Sequence, residues 1–280
     1  MGGKRWQVDV VEPLWDAHKV GKTFPRLIEP FCGGASITYG IRPQLAVLND
    51  ANAHLINFYQ HLRQGLVFDE VERLTFVNRE NNYYDWRTWH NDHRHEIRAD
   101  DPSVWCNSAY ANPKTALHAK VFYFLNQTGR CGMWRENAAG EFNVLYGQRG
   151  WTYLHTDFYA YPAMLKGWAI LNRPYDRVHP TFDDFVYADP PYDSEFTEYV
   201  PGGFTWADQI ACANWLSILP CPVVTTNQDT PRIRELYSDL GFTIDTAVRT
   251  VRLRSKAGEG GDAEELVMTR NTPSPANSLF

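Results

Sequence analysis

The run Phe185-Val186-Tyr187-Ala188-Asp189-Pro190-Pro191-Tyr192 constrains this chain more than any other stretch. Its first four residues have the length and composition of a buried strand, and two consecutive prolines lack backbone donors and cannot continue a central ladder. The chain must therefore leave the sheet at Asp189. In an open α/β sheet such an exit, at the carboxyl end of a strand, is where ligands bind. A carboxylate and a proline carbonyl are acceptors without competing donors. Asp189 and a carbonyl of the Pro190-Pro191 pair can thus hold both hydrogens of an amino group, while Tyr192 offers a flat face to a ring.

Those groups suit methylation of an exocyclic amine on a nucleobase. The lone pair of such an amine is delocalised into the ring, and two acceptors pulling on its hydrogens favour the pyramidal form that aims the lone pair at an incoming methyl group. Taken alone, Asp-Pro-Pro-Tyr is also compatible with an ordinary strand-ending turn.

A length of 280 residues accommodates one large domain or one domain carrying an insertion. The five cysteines (Cys32, Cys106, Cys131, Cys212, Cys221) are scattered without a Cys-x-x-Cys pair, so neither a disulfide framework nor a zinc site is indicated. No signal peptide or membrane-length apolar run is present, which reads as a cytoplasmic protein without a membrane partner. A net charge of −6 runs against a nucleic-acid partner unless basic residues are gathered locally.

Gly2-Gly3-Lys4 opens the chain and is followed by a mixed segment. Arg26 to Ile37 then reads as strand, glycine turn (Phe31-Cys32-Gly33-Gly34) and helix start, with Ser36 as a candidate cap. This is the first βα turn of a Rossmann-like sheet, with a loop unlike the dinucleotide fingerprint. Leu45 to Asn49 forms a second strand ending in Asp50. Asp50 is placed either to accept from ribose hydroxyls or to cap the helix Ala53–Leu62.

From Gln64 to His118 helix-like, aromatic sequence replaces the strand pattern and reads as an inserted helical subdomain. His90, His93 and His95 do not share a helix face, and a solvated helix is expected there rather than a metal site. Beyond the apolar helix Ala116–Leu125 comes a glycine-rich loop with Arg130, Met133, Trp134, Arg135 and Asn137. Arginines read guanine edges and exposed apolar side chains wedge between bases, which makes this loop a candidate for DNA contact; a connector with solvated arginines is the alternative. A helix is expected around Phe158 to Trp168, strands at Ala169–Leu171 and Pro222–Asn227, and a helix near Asp208 to Leu219. A closing hairpin is expected to align Arg252, Arg254 and Lys256 on one face as a basic stripe.

Glu29-Pro30-Phe31-Cys32-Gly33-Gly34, Asn49-Asp50, Leu125-Asn126, Gly140-Glu141-Phe142-Asn143-Val144 and Asp189-Pro190-Pro191-Tyr192, in that order, resemble the Dam-type (D12 class) DNA adenine-N6 methyltransferases. The resemblance implies S-adenosylmethionine as methyl donor and double-stranded DNA as substrate, with the target adenine flipped out. It implies Lys4, Phe31, Cys32, Gly33, Gly34, Asp50, Tyr175 and Asp189 near the cofactor and Asp189 to Tyr192 around the adenine. Arg130, Met133, Trp134, Arg135 and Asn137 would contact the recognised duplex, while the alternation of Arg252 and Arg254 on the hairpin strand makes them expected phosphate contacts. The expected fold is a Rossmann-like methyltransferase domain, residues 1–62 and 146–280, with an inserted helical target-recognition domain, residues 63–145. Cytosine-N4 methylation and a non-catalytic DNA-binding protein of the same fold are the rivals. Cytosine-C5 chemistry is disfavoured because Cys221 precedes a strand instead of following one.

Overall fold

A computed structural model describes residues 4–97, 113–150, 152–193, 203–250 and 262–273. The chain alternates helices and strands. In order these are α1 (Val8–Lys19), β1 (Leu27–Glu29), α2 (Ser36–Ile41), β2 (Ala46–Asn49), α3 (Ala53–Arg63), α4 (Glu70–Thr75), α5 (Glu80–His93), α6 (Pro113–Thr128), α7 (Tyr161–Leu165), β3 (Trp168–Leu171), β4 (Phe185–Ala188), α8 (Trp206–Ser217), β5 (Val223–Gln228), α9 (Pro231–Asp239), β6 (Thr243–Thr250) and β7 (Asp262–Arg270).

The strands form one seven-stranded sheet in the order β3-β2-β1-β4-β5-β7-β6. The first five run parallel, and β7 inserts antiparallel between β5 and β6. Strand order therefore reverses between β1 and β4, which pair directly with Ile28 opposite Val186. The loops leaving these two strands open the crevice in which such sheets bind ligands.

Residues of the parallel strands are buried on both faces, as short β-branched and aromatic runs allow. On one face Leu27, Phe185, Tyr187 and Val224 pack beneath Val11 and Trp15 of α1 and Ile37 of α2. Further along it, Ala46, Leu48, Trp168 and Ile170 meet α3, and that cluster continues without interruption into Phe122, Phe124 and Leu125 of α6, Tyr83 of α5 and Trp134. The other face packs Ile28, Val186, Ala188 and Val223 against Cys212 and Leu216 of α8 and Ile233 and Tyr237 of α9. Thr205 and Asp208 start α8 with a reciprocal capping box.

Several expectations are corrected. The mixed segment after Lys4 contains α1, whose buried Val11, Trp15 and His18 follow helical spacing despite Pro13 within it. The helix expected around Phe158 to Trp168 is only Tyr161–Leu165, with Pro162 in its first turn. Ser36 does not cap α2: Ala35, at φ +47°, holds that position without a side-chain bond. His90 is not on a solvated face but buried, with its ring 4.6 Å from that of His54 and 5.2 Å from that of Trp134. Among the described residues no group of three or more His, Cys, Asp or Glu side chains could hold a metal ion, and no helix is long and apolar enough to cross a membrane.

Candidate active site

The crevice is built from three strand exits tied together by one buried amide. Asn49, at the end of β2, donates to the carbonyls of Pro30 (2.9 Å) and Arg173 (3.0 Å) and accepts from the Arg173 N–H, which fixes the exits of β1 and β3 to its own. The Cys32 N–H completes the tie on the Asn49 carbonyl at 2.8 Å. Next along, Asp50 accepts from the backbone N–H of Gly33 and of Asn52, both at 2.9 Å. Burial raises its pKa, and these two donors oppose the rise.

Asp50 is not the cap of α3. Asn52 caps that helix, accepting from the N–H groups of His54 and Leu55. Asp50 is thereby left to face the glycine loop. Gly33 sits at φ +45°, a conformation that favours glycine, and a Cβ added there would meet no atom within 4 Å. The turn is thus glycine for its backbone conformation, with open space above it. Phe31 and Tyr175, the latter in a tight turn after β3, present rings 5.0 Å apart, with Trp215 of α8 5.3 Å beyond Tyr175. The Cys32 side chain is buried, so only its backbone faces the loop.

After β4, the Asp189 Oδ1 accepts from the Thr226 hydroxyl at 2.7 Å and lies 3.5 Å from the Lys4 ammonium. Asp189 Oδ2 has no partner among the described residues. Lys4 also donates to Glu265 Oε2 of β7 at 2.8 Å and to the Tyr192 hydroxyl, and its ammonium stands 4.3 Å over the Tyr192 ring. The Tyr192 hydroxyl donates to the same Glu265 oxygen at 3.2 Å, and Gln7, bonded by Tyr187, donates to it at 3.4 Å. Lys4, expected near the cofactor, is therefore brought to the Asp-Pro-Pro-Tyr loop, at the hydroxyl end of the Tyr192 ring.

The two prolines differ. Pro191 accepts through its carbonyl from Gln209 Nε2 at 2.7 Å, whereas the Pro190 carbonyl has no donor among the described residues. Beneath the site, Glu29 accepts twice from Thr38, and burial, with Asp189 nearby, raises its pKa to about 7.

In the loop after α6, Arg130 and Arg135 are exposed, as expected, and the Arg135 Nε donates to Asn143 at 2.9 Å. Trp134 is a correction. Only 6% exposed, it packs 4.4 Å from the rings of both Phe122 and Phe142 and donates to Glu136, so it belongs to the core and not to a DNA-wedging surface. Met133 is partly buried against the same core. Asn137 spends its side chain on the local turn, accepting from Ala139 and Glu141 N–H groups and donating to the Glu141 carboxylate. Arg87 and Arg94, unanticipated, donate to the loop carbonyls of Val144 and Ala139. A Cβ on Gly147 would lie 2.8 Å from the carbonyl oxygens of Thr128 and Gly129, so the loop can close only with glycine there. Arg252 and Arg254 lie outside the described residues.

Thr226, Gln209, Asn227 and Glu265 have no role read from sequence, and Glu29 has only its place in the family motif. Buried polar residues ending a central strand, Thr225-Thr226-Asn227, were the available signal.

A seven-stranded mixed sheet of this order, with its open acceptors at the switch point, is consistent with a methyltransferase fold. The chain belongs to the D12 class N6 adenine-specific DNA methyltransferase family, whose model it matches over residues 1–251. It is 29% identical over 245 residues to the Type II methyltransferase M.CviBI of Paramecium bursaria Chlorella virus NC1A, with 84% of each chain covered. It is 29% identical over 253 residues to the Retron Ec67 DNA adenine methylase of Escherichia coli, covering 87% of this chain and 82% of the relative. With a DNA adenine methylase of Vibrio cholerae serotype O1 it shares 27% identity over 263 residues, covering 88% and 87%. The enzyme transfers a methyl group to adenine N6 in DNA, and S-adenosylmethionine is the donor. The open cradle at Gly33, the paired rings of Phe31 and Tyr175 and the carboxylate of Asp50 fit that cofactor.

Proposed function

We propose that the chain methylates a specific site in duplex DNA, with the target adenine turned out of the helix and its N6 amine held by Asp189 Oδ2 and the Pro190 carbonyl. The observation that carries this reading is the division of acceptors: Oδ1 is occupied by Thr226 and Lys4 and the Pro191 carbonyl by Gln209, which leaves one oxygen on Asp189 and one on Pro190 open side by side in the chain. Two acceptors on the amine hydrogens favour the pyramidal nitrogen and act more strongly as the new bond forms. Oδ2 of Asp189 is also the first acceptor for the proton that N6 sheds. The Tyr192 ring, held at its hydroxyl by Lys4 and Glu265, is the surface offered to the base.

S-adenosylmethionine supplies an electrophilic methyl group when bound. Phe31 and Tyr175 would hold its adenine, Asp50 its ribose hydroxyls, and the backbone of Cys32, Gly33 and Gly34 would line its close approach. Residues 63–145 serve target recognition in this reading, with Arg130 and Arg135 toward the bases and Arg252 and Arg254 toward the phosphates. The loop is mounted on a core shared with the sheet.

The test is incubation of unmethylated plasmid DNA with labelled S-adenosylmethionine, followed by nucleoside analysis. Label in N6-methyldeoxyadenosine is expected. Label in N4-methyldeoxycytidine would overturn the assignment of the amine, and retention of activity in Asp189→Ala would overturn the acceptor pair.

A further inference from the structure

Two buried amides stand behind the Asp-Pro-Pro-Tyr loop. Gln209 on α8 is 1% exposed and Asn227 near the end of β5 is 0% exposed. Gln209 Nε2 donates to the Pro191 carbonyl at 2.7 Å, and Gln209 Oε1 accepts from Asn227 Nδ2 at 3.0 Å. Asn227 Oδ1 then accepts from the backbone N–H of Asp193 at 3.0 Å and of Gln228 at 2.8 Å.

The direction of this relay is fixed by its ends. Two backbone donors at one end require an oxygen from Asn227, and a backbone carbonyl at the other requires a nitrogen from Gln209. Each member must therefore offer one donor and one acceptor, which two amides supply. The relay grips the loop at the carbonyl before Tyr192 and at the N–H after it. The ring of Pro191 fixes its φ, so holding its carbonyl restrains the neighbouring plane that carries the Pro190 carbonyl. Thr226, adjacent to Asn227 on β5, holds Asp189. One dipeptide of β5 thus anchors both ends of the motif.

We infer that Gln209 and Asn227 are positioning residues for methyl transfer, a relay that sets the direction of the Pro190 carbonyl and the Tyr192 ring without touching substrate. The inference rests on the assignment of Asp189 and Pro190 as the acceptors of the amine. Gln209→Glu is the discriminating variant. At high pH its carboxylate opposes the Pro191 carbonyl and has no donor to offer, whereas burial raises its pKa and the protonated acid again carries one donor and one acceptor.

Steady-state methylation is measured across pH with the full chain, alongside thermal melting to confirm folding. At about pH 8.5 kcat of Gln209→Glu is expected to fall roughly 10- to 100-fold, the scale of a misplaced reacting group, with KM for DNA and for S-adenosylmethionine retained. Relative to the unmodified enzyme, kcat recovers as pH falls toward about 6. Gln209→Met, which cannot donate at any pH, shows the loss without the recovery. A kcat for Gln209→Glu at the unmodified level at high pH, or a loss that does not respond to pH, would overturn the relay. If Gln209→Glu does not fold, Gln209→Met decides: loss of kcat with KM kept supports the inference, and loss of KM with kcat kept refutes it. The unmodified enzyme separates the two layers of argument, since absence of N6-methyladenine there refutes the site assignment, while normal chemistry there with unaffected variants refutes the relay alone.

Discussion

His54 and His90 predict a steep acid limb in stability. His54 lies in the first turn of α3, just after the cap that follows Asp50, and His90 lies on α5; their rings meet at 4.6 Å beside Trp134, with each Nδ1 buried and without a hydrogen-bond partner among the described residues. Burial lowers the pKa of His54 to about 3 and of His90 to about 2, and the positive charges of His118 and Arg94 act in the same direction. Unfolded, each ring titrates near about 6.5. The folded values are depressed, so these groups contribute fully above about pH 6.5 and lose that contribution as the unfolded chain takes up protons below it. At about 1.4 kcal/mol per unit, the fall from about pH 6.5 to about pH 5 removes roughly 2 kcal/mol for each ring, or roughly 4 kcal/mol for both. His90→Phe keeps an aromatic ring against Trp134 and Phe142 and deletes one titration. Urea unfolding followed by tryptophan fluorescence should show its stability falling about 2 kcal/mol less than that of the unmodified chain over this interval. Parallel stability curves for the two proteins would refute the argument.

Asp50→Ala should weaken S-adenosylmethionine binding by about 1.5–3 kcal/mol in titration calorimetry, since a charge-assisted acceptor and the Gly33 tether are lost together. Thr226→Val removes the donor that occupies one oxygen of Asp189 and should lower kcat about 3- to 10-fold, equivalent to a hydrogen bond of about 0.5–1.5 kcal/mol, with DNA affinity in filter binding unchanged. Arg135→Ala should relax target choice at one base pair by about 1–3 kcal/mol across a library of single-base site variants, whereas a uniform rate loss would mean that it only positions the duplex.

The sheet and the crevice were legible because short β-branched runs ending in Asn49-Asp50 and Asp189-Pro190-Pro191 announce both a strand and its exit. Helix α1 was hidden by Pro13, whose presence inside a helix runs against local preference and is outweighed by burial of Val11 and Trp15. Trp134 reads as exposed for a related reason: its neighbours are glycines and charges, and only the fold brings Phe122 and Phe142 onto its faces. Asn52 was passed over as the α3 cap because the acid two positions earlier has the same capping chemistry. Glu265 was beyond reach of local pattern, since it meets Lys4 from 261 positions away.

That last contact closes the site from the far end of the chain. Glu265 follows every other residue of the site along the chain, on a strand that pairs between β5 and β6. A chain ending after β5 carries the glycine loop, Asp50, Asp189 and Thr226 but lacks the carboxylate on which Lys4 and the Tyr192 hydroxyl converge. The β6–β7 pair therefore completes the anchorage of Lys4 and of the Tyr192 hydroxyl.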